Sequence, residues 1–184
     1  MHPVFWINGL FGVGKTQAAY ALAQRLPGSF VCEPEQLGFA VRRMTPPQLR
    51  GDFQDVPLWR SGTRELLTRC ALHGSSPVNV PMTLVNPAYF AETMGELRQS
   101  GIEVRHAALL ASPETLRRRL RSRGEGSGSW GARQMERCLA GLLALDPADH
   151  LHTDGLTHTA VVEAIAEHFG LTLQPDTSSA LQRR

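Results

Sequence analysis

Glycines at positions 9, 12 and 14, followed at once by Lys15 and Thr16, crowd one short stretch, "GLFGVGKT". The spacing is G-x-x-x-x-G-K-[ST], in which main-chain N–H groups curl inward around phosphate oxygens. The lysine brings a cation to the outer phosphates, and the threonine hydroxyl is placed to ligate Mg²⁺. We assign Gly9, Leu10, Phe11, Gly12, Val13, Gly14, Lys15, Thr16 and Gln17 to this cradle, with ATP and Mg²⁺ as its ligands and Thr16 as the metal contact. The spacing does not fit G-x-G-x-x-G, which disfavours a nicotinamide or flavin cofactor.

A second concentration of charge is "TLRRRLRSRGEGSGSW", with five arginines between Arg117 and Arg123 ahead of a glycine-serine run. Arg119 and Arg123 are four apart and share a helix face. On a mobile flap they would close over phosphates and offset the charge that builds in phosphoryl transfer. Arg133 and Arg137 form a second pair beyond the flap. Arg119 and Arg123 are assigned to the nucleotide, and Arg123 and Arg137 to transfer, against the plain alternative of a solvated basic helix face.

A group able to take a proton from an acceptor hydroxyl is expected where strands end. Glu33 follows the second predicted strand directly, and Asp52, in "GDFQDVPLWR", is its rival. Asp52 serves equally well as a cap for the helix at Pro57 or as a substrate contact. The third strand ends in "VNVPMT", with no aspartate where a second metal contact is customary. Thr16, phosphates and water, with help from Glu33, would then hold the metal. Phe39, Phe53, Gln54, Trp59 and Met82, with Met44 and Tyr89, fall near the same rim and are candidates for an acceptor pocket with an apolar wall, although core packing is the preferred reading of each apolar one taken singly. Trp130 beside the hinge is either an adenine-side contact or a packing anchor. His150 and His152 share a strand face, and a packing or capping role suits them better than metal binding.

Placing these groups requires alternating strands and helices. "VFWIN", "SFVC", "PVNVPM", "EVRHAALLA" and "HLHTD" read as strands. "KTQAAYALAQRL" has helical spacing, with Ala18, Leu22 and Leu26 on one face, and stops at Pro27 and Gly28. "PEQLGFAVRRM", "PLWRSGTRELLTRCAL", "PAYFAETMGELRQS", a helix capped by Ser112, and "TAVVEAIAEHFG" complete the series. The expectation is an α/β three-layer fold with a central parallel five-stranded sheet and a small helical lid. Ligands in such sheets sit beyond the carboxyl ends of the strands.

The 184 residues suit one domain over positions 1–184, with a lid segment near 117–137. A formal net charge of +2 is too weak to argue for nucleic acid. Three widely spaced cysteines without C-x-x-C fit a reducing compartment. No signal sequence and no membrane span are predicted, which points to the cytoplasm, and the tail beyond Leu173 is expected to fray.

Eight stretches in order, "WINGLFGVGKTQ", "PEQLGFAVR", "DFQDVPLWR", "VPMTLVNPAYF", "LRQSGI", "ASPETLRRRLRSRGEGSGSW", "QMERC" and "DHLHTD", resemble the tunicamycin resistance protein family. The likeness runs from Val4 to Thr177, nearly the whole chain. That family is in turn similar to kinase-like P-loop proteins of nucleosides and nucleotides. The resemblance implies ATP binding and protection against tunicamycin, which carries a uracil, sugar hydroxyls and a fatty acyl chain. It matches Gly9, Gly12, Gly14, Lys15 and Thr16 to the nucleotide loop, and Arg119, Arg123 and Arg137 to lid positions. Glu33 falls where small-molecule kinases of this fold often keep an aspartate. Three functions remain open at this stage: phosphoryl transfer to a nucleoside antibiotic, ATP-dependent sequestration of the drug without chemistry, and a kinase for a small metabolite.

Overall fold

The structure, a computed structural model, describes residues 1–122, 124 and 130–176, without the side chains of 130–133. Strands β1 (Val4–Gly9), β2 (Phe30–Val31), β3 (Val78–Pro81), β4 (Val104–Leu110) and β5 (His150–His152) form one parallel sheet in the order β2-β3-β1-β4-β5. Val4 pairs with both Val78 and Val104, so β1 is the central strand.

The apolar run of β1 reflects burial on two faces at once. Phe5 and Ile7 enter one core with Ala18, Leu22, Leu116, Ile165 and Phe169. Val4 and Trp6 alternate into the other, with Trp59, Leu67, Met94 and Leu97. Helices α1 (Lys15–Arg25), α6 (Pro113–Ser122), α7 (Trp130–Leu143) and α8 (His158–His168) cover the first face. On the second face lie α2 (Pro34–Met44), α3 (Pro57–His73), α4 (Pro87–Phe90) and α5 (Glu96–Gln99). This is the three-layer arrangement expected from the sequence.

Two elements differ from that reading. "PAYFAETMGELRQS" is not one uniform helix: a π-helical turn, Ala91–Gly95, separates α4 from α5. The wider turn sets Thr93 and Met94 against the core, both with no exposed surface. Helix α7 was not read as a separate helix; the small helical lid expected near 117–137 overlaps only its first part. The helix docks where Gly141 meets the segment after β3, so closely that a Cβ there would lie 2.7 Å from Val85 Cβ. The tail is also better held than expected at its start, because Arg25 and Gln174 exchange two hydrogen bonds of 2.8 Å. Residues 177–184 lie outside the described residues.

Candidate functional site

The β1–α1 junction forms the cradle. Gly12 and Gly14 have φ of 81° and 98°, left-handed values that glycine adopts without steric cost. The Val13 amide closes the turn onto the Leu10 carbonyl at 3.2 Å, and Ala18 N–H makes the first helical bond to Gly14 at 2.9 Å. No acidic residue occupies the first turn of α1, so nothing there offsets the positive end of the helix. Leu10, Gly12, Gly14, Lys15, Thr16 and Gln17 line a cavity of about 140 Å³. Lys15 is the charged residue in that wall. It is 8% exposed, and its ammonium lies 5.0 Å from the centre of the Phe11 ring. A cavity walled by glycines, one cation and a hydroxyl suits phosphate oxygens and, through Thr16, a phosphate-bound Mg²⁺.

A second cavity of about 370 Å³ adjoins it and shares Gly12, Gly14 and Gln17. Arg119, Leu156, His158 and Val161 complete its wall with Val13 and Ser122. Arg119 is anchored: its guanidinium donates to the Val13 carbonyl at 3.2 Å and to the Thr153 carbonyl at 3.1 Å. Helix α6 is thereby tied to the cradle and to the end of β5. Leu156, His158 and Val161 were not singled out from the sequence, although they follow "HTD", one of the strand ends where ligands were expected. Arg123 lies outside the described residues, as do the side chains of Trp130 and Arg133.

Across the strand ends, Glu33 stands at the N-cap of α2. Tyr20, projecting from α1, donates to Glu33 Oε1 at 2.5 Å. That bond to the carboxylate raises the Tyr20 phenol above its usual pKa. Asp52 does not cap α3, whose N-cap is Val56. It caps the short 3₁₀ turn Phe53–Asp55, accepting from Gln54 N–H at 3.0 Å. Its other oxygen is 3.4 Å from Arg137 Nη2, which brings α7 onto this turn. Burial pushes up the pKa of the Cys138 thiol, which also feels the charges of Arg137, Asp52 and Lys15. Of the proposed site residues, Asp52 and Arg137 are thus brought into direct contact.

Other rim candidates are engaged internally. Trp59 is wholly buried, and its indole donates to the Pro34 carbonyl at 2.8 Å. Met82, at 2% exposure, sits in the core beneath the rim. Phe53 packs between Trp59 and Phe39, with ring centroids at 5.3 and 6.4 Å, and Phe39 stays exposed. The Gln54 side-chain amide donates to the Thr83 carbonyl at 2.8 Å. Sequence reasoning missed Arg60, which organises this region. It bonds Glu92 Oε2 and the Gln54 carbonyl, each at 2.5 Å, and stacks 4.3 Å over the Tyr89 ring.

Two residues beyond β3 stands Thr83, whose hydroxyl donates to the Gly9 carbonyl at 2.6 Å. Among the described residues no group of three or more His, Cys, Asp or Glu side chains could hold a metal ion. His150 bonds the Leu142 carbonyl near the end of α7 at 3.0 Å, and His152 is exposed. Among the described residues no helix is long and apolar enough to cross a membrane.

Fold and cradle together define a P-loop protein of the kinase-like class. The AAA domain family matches residues 4–144. The tunicamycin resistance protein of Deinococcus radiodurans is 37% identical, with a TM-score of 0.80 over 96% of this chain and 100% of that one. The chain belongs to the tunicamycin resistance protein family and carries the AAA domain over residues 4–144. The fold is also that of a sugar kinase from Janibacter sp., at TM-score 0.65 and 18% identity over 94% of this chain and 96% of that one. A gluconokinase from Sinorhizobium meliloti gives 0.66 and 18% over 91% of each. No curated protein sequence matches the chain.

Proposed function

We propose that the protein is an ATP-dependent phosphotransferase that moves the γ-phosphoryl group to a hydroxyl of tunicamycin or a similar nucleoside antibiotic. What carries this reading is the pair of adjoining cavities that meet at Gly12, Gly14 and Gln17. The smaller one, with Lys15 in its wall, suits the phosphates, and the larger one suits the nucleoside. Arg119 lines the larger cavity and holds the loop through the Val13 carbonyl. Mg²⁺, when bound through Thr16, neutralises charge on the phosphate oxygens.

Glu33 and Asp52 are the carboxylates available to receive the acceptor's proton as its oxygen bonds to phosphorus and the bond to the bridging oxygen breaks. Arg137 is the cation available to the transferred group. Phe39 and Phe53 offer an apolar surface beside them for an acyl chain. Three free cysteines suit a reducing cytoplasm.

Sequestration without chemistry is the second reading. It is favoured by the bond that engages Glu33 with Tyr20 and by Thr83 standing where a metal-binding acid would be customary. ADP release with ATP·Mg²⁺, measured with and without tunicamycin, separates the two. The transferase reading expects release that rises and saturates with drug. Calorimetric drug binding with a non-hydrolysable ATP analogue, alongside release that ignores the drug, would establish sequestration instead.

A further inference from the structure

Asn8 is wholly buried just ahead of the cradle, and its side chain behaves as an extra peptide group. The β1–β3 ladder ends at the Ile7–Pro81 pair. Beyond it, Asn8 Oδ1 accepts from Leu84 N–H at 3.0 Å, and Asn8 Nδ2 donates to the Leu84 carbonyl at 2.8 Å. Oδ1 also accepts from Gly9 N–H at 2.9 Å. Gly9 is thus held at its N–H by Asn8 and at its carbonyl by Thr83.

These bonds fix which way the amide points. Nδ2 faces His106 Nε2 at 3.3 Å, so that ring nitrogen must be the acceptor. The ring's proton then sits on Nδ1, facing Asp149 Oδ2 at 2.7 Å. A proton added at Nε2 would meet the Asn8 amide donor. Turning Asn8 over to accept it would set the amide nitrogen against the N–H groups of Gly9 and Leu84. The remaining groups around the ring are Phe90 in edge contact, Arg98, and His168, which bonds the His106 carbonyl and lies 3.8 Å from Asp149.

We propose that Asn8 and His106 are positioning residues for the phosphate cradle: Asp149 sets the His106 tautomer, His106 sets the Asn8 amide, and Asn8 sets the first peptide of the loop. The proposal rests on the reading that this loop holds nucleotide phosphates. Burial lowers the His106 pKa against the opposing pull of Asp149, which agrees with a neutral ring in the folded protein. For a histidine lowered on folding, the contribution is present near neutrality and is lost as pH falls through the folded value, below the usual one.

The test is the affinity of the full chain for a fluorescent ATP analogue from pH 8 down to about pH 5, for the native protein and His106→Gln. The glutamine offers an accepting oxygen that does not titrate, and the ligand's own ionisation cancels in the ratio of the two affinities. We expect the native protein to lose about tenfold relative to the variant toward acid. Asn8→Asp, which would favour a protonated ring, should bind relatively better at low pH. A ratio that stays constant with pH, while the native protein binds at pH 8, overturns the relay alone. A native protein that binds no nucleotide at pH 8 removes the phosphate-loop reading, and the relay with it. If the variants do not fold, ¹⁵N spectra of native His106 decide: the Nδ1–H tautomer at neutral pH is required, and the Nε2–H tautomer contradicts the relay.

Discussion

Arg137 on α7 reaches Asp52 on the turn after α2, with Nη2 3.4 Å from Oδ2. Through this contact the helix that follows the arginine-rich segment touches the turn proposed to face the acceptor. The pair is unequal, with the Asp52 side chain 18% exposed and that of Arg137 57% exposed.

An ion pair so open to solvent contributes little to folding, about 0.2–1 kcal/mol after screening. Arg137→Ala is therefore expected to leave the unfolding midpoint nearly unchanged. If Arg137 instead acts on the transferred group, drug-dependent kcat/KM falls by about 10²-fold. A double-mutant cycle with Asp52→Asn, read in both stability and kcat/KM, checks this. A drop confined to stability would remove Arg137 from the site.

Glu33 and Tyr20 give a separate prediction. Glu33→Gln should lower kcat by about 10²–10⁴-fold if Glu33 takes the acceptor proton. The same change removes the carboxylate that raises the Tyr20 pKa, so the phenol should titrate at lower pH than in the native protein. Sign follows directly: the neutral phenol is favoured in the fold, and that preference is lost as pH rises through the raised value. Ultraviolet titration of native and variant proteins measures the shift. Unchanged phenol titration would mean that the short contact does not persist in solution.

Packing at Gly141 is testable by stability alone. Gly141→Ala puts a methyl group 2.7 Å from Val85 Cβ and 3.0 Å from its carbonyl oxygen, so backbone must move. The expected cost is about 1–3 kcal/mol, although alanine is the better helix former. Urea unfolding measures it. A stabilised variant would show that α7 can shift without penalty.

That glycine also marks where the sequence could not be read. The cradle was legible because Gly9 to Thr16 act through their own backbone, within one turn of chain. Glu33 was proposed because strand ends in parallel sheets are where ligands sit, and Asp52 only as its rival from the loop ahead of Pro57. Helix α7 was hidden because Gly131 and Gly141 weaken its helical signal, and the reason for Gly141 is Val85, 56 positions away in the chain. Asn8 and Arg60 were not singled out from the sequence. Their partners Leu84 and Glu92 are 76 and 32 positions distant, and only the fold brings them into contact. Trp59 and Met82 stood open as pocket wall or core, with core preferred for each, because residue type does not separate the second sheet face from a nearby rim, and the fold places both in the core.

Lys15→Ala is expected to weaken ATP binding by at least about 10²-fold, with the fold retained. Lys15 contributes charge to the cradle, and the core around it is built by Leu10, Val13 and Leu22. Calorimetry with ATP on native and variant protein reads this out. Equal affinities would move the nucleotide away from the cavity at Gly12 to Gln17.

Mass spectrometry of tunicamycin after incubation with the protein and ATP·Mg²⁺ tests the proposed activity most directly. The account predicts drug carrying one added phosphate, formed with one ADP per molecule and absent with Lys15→Ala. Unmodified drug recovered in full, from a protein that binds both ATP and tunicamycin, would contradict phosphoryl transfer.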